Sequence, residues 1–126
     1  MVYLASPYTS FKDKNSFMEE FMYVSGAYMV KNPGHFCVSP LFNHFSLESN
    51  PGLGTDWEFW KKYSYTLLDR LSPANGDYLL VANFACAKDS VGVMAEVFAA
   101  AIRNIPTFIL DVDTLEIEQF DMSKLN

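Results

Sequence analysis

The run Asp77-Tyr78-Leu79-Leu80-Val81-Ala82 constrains the fold most, because it is almost continuously apolar. Such a strand suits the centre of a parallel sheet, buried on both faces. Parallel neighbours need long crossovers, usually helices, and the chain supplies them. Val2 to Ser6 reads as a first strand ending at Pro7. After the polar stretch Thr9, Ser10, Lys12, Asp13, Lys14 and Asn15 comes a helix from about Ser16 to Lys31, with Phe17, Phe21, Val24 and Tyr28 at core spacing. Asn32-Pro33-Gly34 stops it, and Phe36 to Ser39 forms a second strand broken by Pro40. A long connection, Leu41 to Thr55, leads to a Trp-rich helix from Trp57 to Leu71 with Asp56 as its cap. Loops of that length are usually functional or mobile. The third strand is followed by a helix after Ser90, a strand Pro106 to Leu110 and a short edge strand between Leu115 and Phe120. The alternation predicts one α/β domain over residues 1–126: a four- to five-stranded, mostly parallel sheet covered on both faces.

Charge narrows the partners. A net charge of -6 argues against a nucleic acid polymer, which needs a basic surface, but not against a single nucleotide. Cys37 and Cys86 make neither a disulfide framework nor a metal-ligand spacing. No apolar run is long enough for a bilayer, and Met1 leads directly into strand-like sequence, so a cytoplasmic protein with reduced thiols and no membrane partner is expected.

The segment Ser90 to Ile102 carries one charge, Glu96, in a helix apolar nearly all round. Such a helix is normally buried, with Met94, Val97, Phe98, Ala101 and Ile102 expected as its core stripe. A carboxylate there must be paired, hydrogen-bonded or chemically employed. An Arg or Lys partner would make Glu96 structural; a ligand site would make it functional. Gly92, one turn earlier, leaves space beside the carboxylate, and Ser90 caps a helix start able to hold an anion. Ligands in parallel sheets bind beyond the C-terminal strand ends, where the loops after Ser6 and Ser39 and the segment Asn83 to Glu96 should meet.

Several of these residues fall into a known pattern. Tyr3-Leu4-Ala5-Ser6-Pro7-Tyr8, Ser39-Pro40, Asp56 with Trp60, and above all Ser90-x-Gly92-Val93-x-x-Glu96-x-x-x-Ala100 resemble the nucleoside 2-deoxyribosyltransferase superfamily, which includes nucleoside 5′-monophosphate N-glycosidases and small phage and bacterial relatives. The similarity extends from Val2 to Leu110. It implies a flavodoxin-like three-layer fold and cleavage of a base–sugar bond, with Glu96 attacking C1′ to form a covalent glycosyl-enzyme. Tyr8 and Asp56 are implied beside it in catalysis; Ser6, Ser90, Gly92, Asn83 and Trp60 are implied in substrate binding. No cofactor is required, and relatives assemble as homodimers or larger oligomers. Transferases acting on free nucleosides tend to carry Asp where this chain has Ser90, whereas the monophosphate hydrolases resemble it in carrying Ser. An Asp would repel a 5′-phosphate; a hydroxyl at a helix start accepts one. The hydrolases usually bring an arginine from the segment after the first strand, where this chain offers Lys12 and Lys14.

Other candidates have plainer readings. Asp56 also serves as an N-cap, Trp57 and Trp60 also suit a core, Asp69 suits a solvated face and Asp77 a structural role at a strand start. His44 is placed to donate to a leaving base, and Cys86 lacks a paired base. Two competing functions stay open. One is a nucleoside 2-deoxyribosyltransferase exchanging bases on free deoxynucleosides; the other is a non-catalytic nucleotide-binding module. The aromatic first helices and the acidic tail from Asp111 to Asn126 are candidate contacts to a partner copy.

Overall fold

Parallel pairing organises the computed structural model, which describes residues 1–126 other than 9–12, 44–45, 47–48, 51 and 53–55. Thr9, Ser10, Lys12, His44 and part of the Leu41–Thr55 connection lie outside the described residues. The strands are β1 (Val2–Ala5), β2 (Cys37–Val38), β3 (Tyr78–Ala82), β4 (Thr107–Leu110) and β5 (Ile117–Gln119). The long helices are α1 (Lys14–Lys31), α2 (Trp57–Arg70) and α3 (Val91–Ile102). Sheet order is β2-β1-β3-β4-β5, with only β5 antiparallel. Register sets Val2 opposite Tyr78, Ala5 opposite Val81, and Ala82 opposite Leu110.

Chain direction then distributes the helices. The step from β1 to β2 runs one way across the sheet; the steps to β3 and β4 run the other way. Right-handed crossovers therefore place α1 on one face and α2 with α3 on the opposite face. Packing agrees. Phe17, Met18, Phe21, Val24 and Tyr28 of α1 bury against Val2, Leu4, Leu80 and Ala82. Leu68 of α2 and Val93, Ala99 and Ala100 of α3 bury against Tyr3, Ala5, Leu79, Val81 and Ile109. This is a flavodoxin-like three-layer α/β sandwich, and its order reverses between β1 and β3, where such sheets open a ligand crevice.

Capping fixes the helix starts. Asp13 accepts from the Ser16 amide at 3.1 Å, Asp56 from Phe59 at 2.9 Å, and Ser90 from Val93 at 3.2 Å. Asp77, at the start of β3, accepts from the Met1 ammonium at 2.7 Å and the Ser72 amide at 2.8 Å, a structural role. Asp69 is exposed and pairs with Arg103 at 2.7 Å, tying α2 to the end of α3.

One expectation is corrected. The inward face of α3 is Val93, Ala99 and Ala100, with Met94 and Val97 partly buried beside them. Phe98, Ala101 and Ile102 face outward, Phe98 and Ile102 being 68% and 80% exposed. Small alanines let the helix approach the sheet closely, and an almost uniformly apolar sequence does not mark which side will do so. The end of the tail folds back on its own chain. Leu125 is buried in the α2–α3 core, and the Asn126 amide donates to Asn83 Oδ1 at 2.8 Å.

Candidate active site

Glu96 is oriented by helical phase. It stands three residues after Val93 and four before Ala100, both fully buried, so its side chain shares their inward face. Its partner there is the Tyr3 hydroxyl, which donates to Glu96 Oε2. Tyr3 is buried in β1, and no Arg or Lys pairs with Glu96 among the described residues. Desolvation raises the carboxyl to about 8, while the Tyr3 hydrogen bond pulls the other way. The Tyr3 phenol is itself pushed well above its ordinary value, first by burial and then by the Glu96 charge, with a hydrogen bond to Ser64 opposing. Tyr3 therefore remains a proton donor throughout the neutral range.

A cavity of about 170 Å³ opens in front of the carboxyl. Its floor comes from the ends of β1 and β2, through Ser6, Tyr8 and Ser39; α2 and α3 supply the remaining wall, including Trp57, Trp60 and Lys61 on one side and Ser90, Gly92 and Glu96 on the other. This is the crevice position expected from the strand order. Gly92 contributes space: a Cβ there would meet Ser90 Oγ at 3.9 Å and Trp57 Cζ3 at 4.0 Å, ordinary contacts. The Ser6 hydroxyl donates to the Pro7 carbonyl at 3.1 Å, and Trp60 stacks on Tyr63 with centroids 6.5 Å apart.

The structure thus gathers Glu96, Ser90, Gly92, Ser6, Tyr8 and Trp60 around one cavity. Asn83 and Asp56 are outside that lining. Asn83 accepts from the Asn126 amide and donates to the Lys124 carbonyl at 3.2 Å, so its side chain fastens the tail; Asp56 is exposed and caps α2. Sequence reasoning missed Tyr3 as the carboxyl's partner. A tyrosine inside a wholly buried strand was the available signal, since its hydroxyl must find a partner. Lys61 was missed too. It is the one charge on the α2 stripe Trp60, Lys61, Ser64, Tyr65 and Leu68, which turns toward the cavity and core.

Chemically, the cavity presents a carboxyl with a raised proton affinity, a ring of hydroxyls and broad aromatic surface. That combination can seat a small molecule with a polar, hydroxylated part and a flat part. Among the described residues no group of three or more His, Cys, Asp or Glu side chains stands together as a metal site. No helix among them is long and apolar enough to cross a membrane. Compared with protein-family models, curated proteins and solved structures, the chain matches none.

Proposed function

We propose that this protein cleaves the N-glycosidic bond of a (deoxy)nucleoside 5′-monophosphate, in the manner of the nucleoside 2-deoxyribosyltransferase superfamily. The observation that carries the reading is the Glu96 carboxyl, backed by Tyr3 and facing the cavity at the sheet's switch point. Ionised Glu96 attacks C1′ as the C1′–N bond breaks, and the bonding pair leaves on the base nitrogen, which takes up a proton. Water then attacks C1′ and gives up a proton to solvent, the glycosyl–Glu96 ester bond breaks, and the carboxylate returns as the sugar leaves with a C1′ hydroxyl. Ser6 and Ser90, with the start of α3, position the phosphate; Tyr8 and Trp60 orient sugar and base.

The raised carboxyl has a kinetic consequence. With its midpoint raised to about 8, Glu96 is mostly protonated at neutral pH in the empty site. The rate of a reaction that uses the carboxylate rises with pH and levels off above about 8; a Glu96 acting as an acid gives the reverse slope. The deciding experiment measures free-base release from nucleosides and their 5′-monophosphates by wild type and Glu96→Gln. Release favouring monophosphates and lost in the variant supports the reading. Release from free nucleosides only with an acceptor base present moves it to transfer, and binding without release moves it to a binding module.

Assembly belongs to the same reading. Val91, Phe98, Ala101 and Ile102 expose an uncharged stripe on a chain of net charge -6, and we propose that it packs against a second copy in a cytoplasmic homodimer. Phe98→Lys then converts the dimer to monomer in sedimentation; an unchanged sedimentation coefficient removes this interface.

A further inference from the structure

Two charged side chains line the cavity among the described residues, and they come from different helices: Glu96 from α3 and Lys61 from α2. They do not pair with each other, and Lys61 makes no ion pair with any described carboxylate. Its ammonium instead lies 5.7 Å from the centre of the Tyr65 ring, whose other close cation is the Arg103 guanidinium at 5.1 Å. A cation–π contact of this kind, open to solvent, is weak and is readily exchanged for a stronger partner.

Charge arithmetic shows what such a partner is. A phosphate monoester carries roughly -1.5 to -2 at neutral pH, whereas a helix start offers the equivalent of about +0.5. The α3 terminus alone leaves most of that charge uncompensated, and ionised Glu96 in the same cavity adds to the deficit. Lys61 is the one cationic side chain in the described lining able to offset it. Its location permits this. The position beside Gly92 lies 4.0 Å from the Trp57 ring, so the first turns of α2 and α3 adjoin. Lys61 stands one turn beyond Trp57, and helical side chains lean toward their own N-terminus. A swing of the lysine stem off Tyr65 carries Nζ toward the opening of α3.

We infer that Lys61 determines specificity by selecting a phosphorylated ligand: its ammonium binds a phosphate-monoester oxygen while the sugar faces Glu96. The inference rests on reading the cavity as a nucleotide site, but it does not require that Glu96 be catalytic.

Calorimetric titration of 5′-monophosphates, the matching nucleosides and inorganic phosphate into Glu96→Gln protein, with Lys61 intact or changed to Gln or Arg, tests it without turnover. With Lys61 intact, the monophosphate binds at least about tenfold tighter than its nucleoside, as expected for a charge-assisted contact. Lys61→Gln reduces that preference to within about threefold and leaves nucleoside affinity in place, whereas Lys61→Arg retains it. Retained nucleoside affinity also shows that the Gln variant is folded. A preference that survives in Lys61→Gln, or no preference with Lys61 intact, overturns the inference. Inorganic phosphate binding as tightly as the monophosphate also overturns it, because the sugar then contributes nothing. If wild type releases no base yet the Lys61-dependent preference holds, the catalytic reading fails and this one stands.

Discussion

Two tyrosine hydroxyls, on opposite faces of the same sheet, meet different fates. Tyr3 on β1 donates to a carboxyl beside the cavity, on the α2–α3 side. Tyr78 on the adjacent β3 bonds the Tyr28 hydroxyl, on the α1 side, and also meets His35 Nδ1 at 2.9 Å. Burial raises both phenols, and at Tyr78 the hydrogen bond to Tyr28 adds to the rise. The α1-side pair joins two neutral groups, each satisfying the other, which is the ordinary requirement of a buried polar atom. The α2–α3 pair holds an ionisable group at a raised proton affinity next to open space. Chemistry is therefore indicated where a buried hydrogen bond includes a group able to change charge that is itself held off solvent, as Glu96 is; His35, which also meets Tyr78, is exposed.

The comparison breaks most decisively at Glu96. Glu96→Gln preserves shape and the Tyr3 contact, and is expected to reduce base release by at least about a thousandfold, as for loss of a nucleophile; activity within tenfold of wild type would place Glu96 with the structural pair. Tyr3→Phe removes a positioning donor. Base release is expected to fall by about ten- to a hundredfold, in line with loss of a hydrogen bond to a charged group. Because the Tyr3 bond lowers the carboxyl, its removal moves the rising limb of the pH–rate profile above about 8, a shift that simple loss of folded protein would not produce.

Stability separates the two faces more gently. Glu96 is raised from 4.5 to about 8, so the folded state keeps a proton that the unfolded chain releases across that window. Its contribution to stability is complete below about 4.5, declines as pH rises, and is lost above about 8. Glu96→Gln escapes this titration. Its melting temperature should gain on wild type between about pH 5 and about pH 9, and parallel curves would contradict the burial-driven shift. The smallest effect is expected at Tyr78→Phe: about 1–3 kcal/mol of stability lost by denaturant titration, with base release unchanged, because the contacts to Tyr28 and His35 lie on the sheet face opposite the cavity.

How much of this could be read beforehand followed the strength of local signals. The sheet was legible because β3 is apolar throughout and turn residues separate the elements. The α1 face was legible because Phe17, Phe21, Val24 and Tyr28 recur at helical spacing, and all four are buried. In α3 the largest residues, Phe98 and Ile102, turn outward, and its orientation came from how closely Ala99 and Ala100 pack, which periodicity does not record. In the site, Ser90, Gly92 and Glu96 share one helix and could be placed together from their spacing. Tyr3 and Lys61 join them only through tertiary structure, across 93 residues between Tyr3 and Glu96. Asn83 sits at the correct strand end, but its hydrogen bonds to residues 124 and 126 depend on a tail whose path no local pattern announces.

That tail bears on when the molecule acquires its site. Asn126 bonds both Asn83 and the Lys88 amide, bracing the segment that leads into α3, while Leu125 fills the adjoining core. Most helical contacts form locally and early, whereas closures over such separations are slow because chain entropy must be lost first. On the ribosome, β1 can mate with β3 once about two thirds of the chain has emerged, yet the brace behind α3 waits for residues 125 and 126. The nascent chain thus holds a nearly finished sheet before it holds a fully braced cavity.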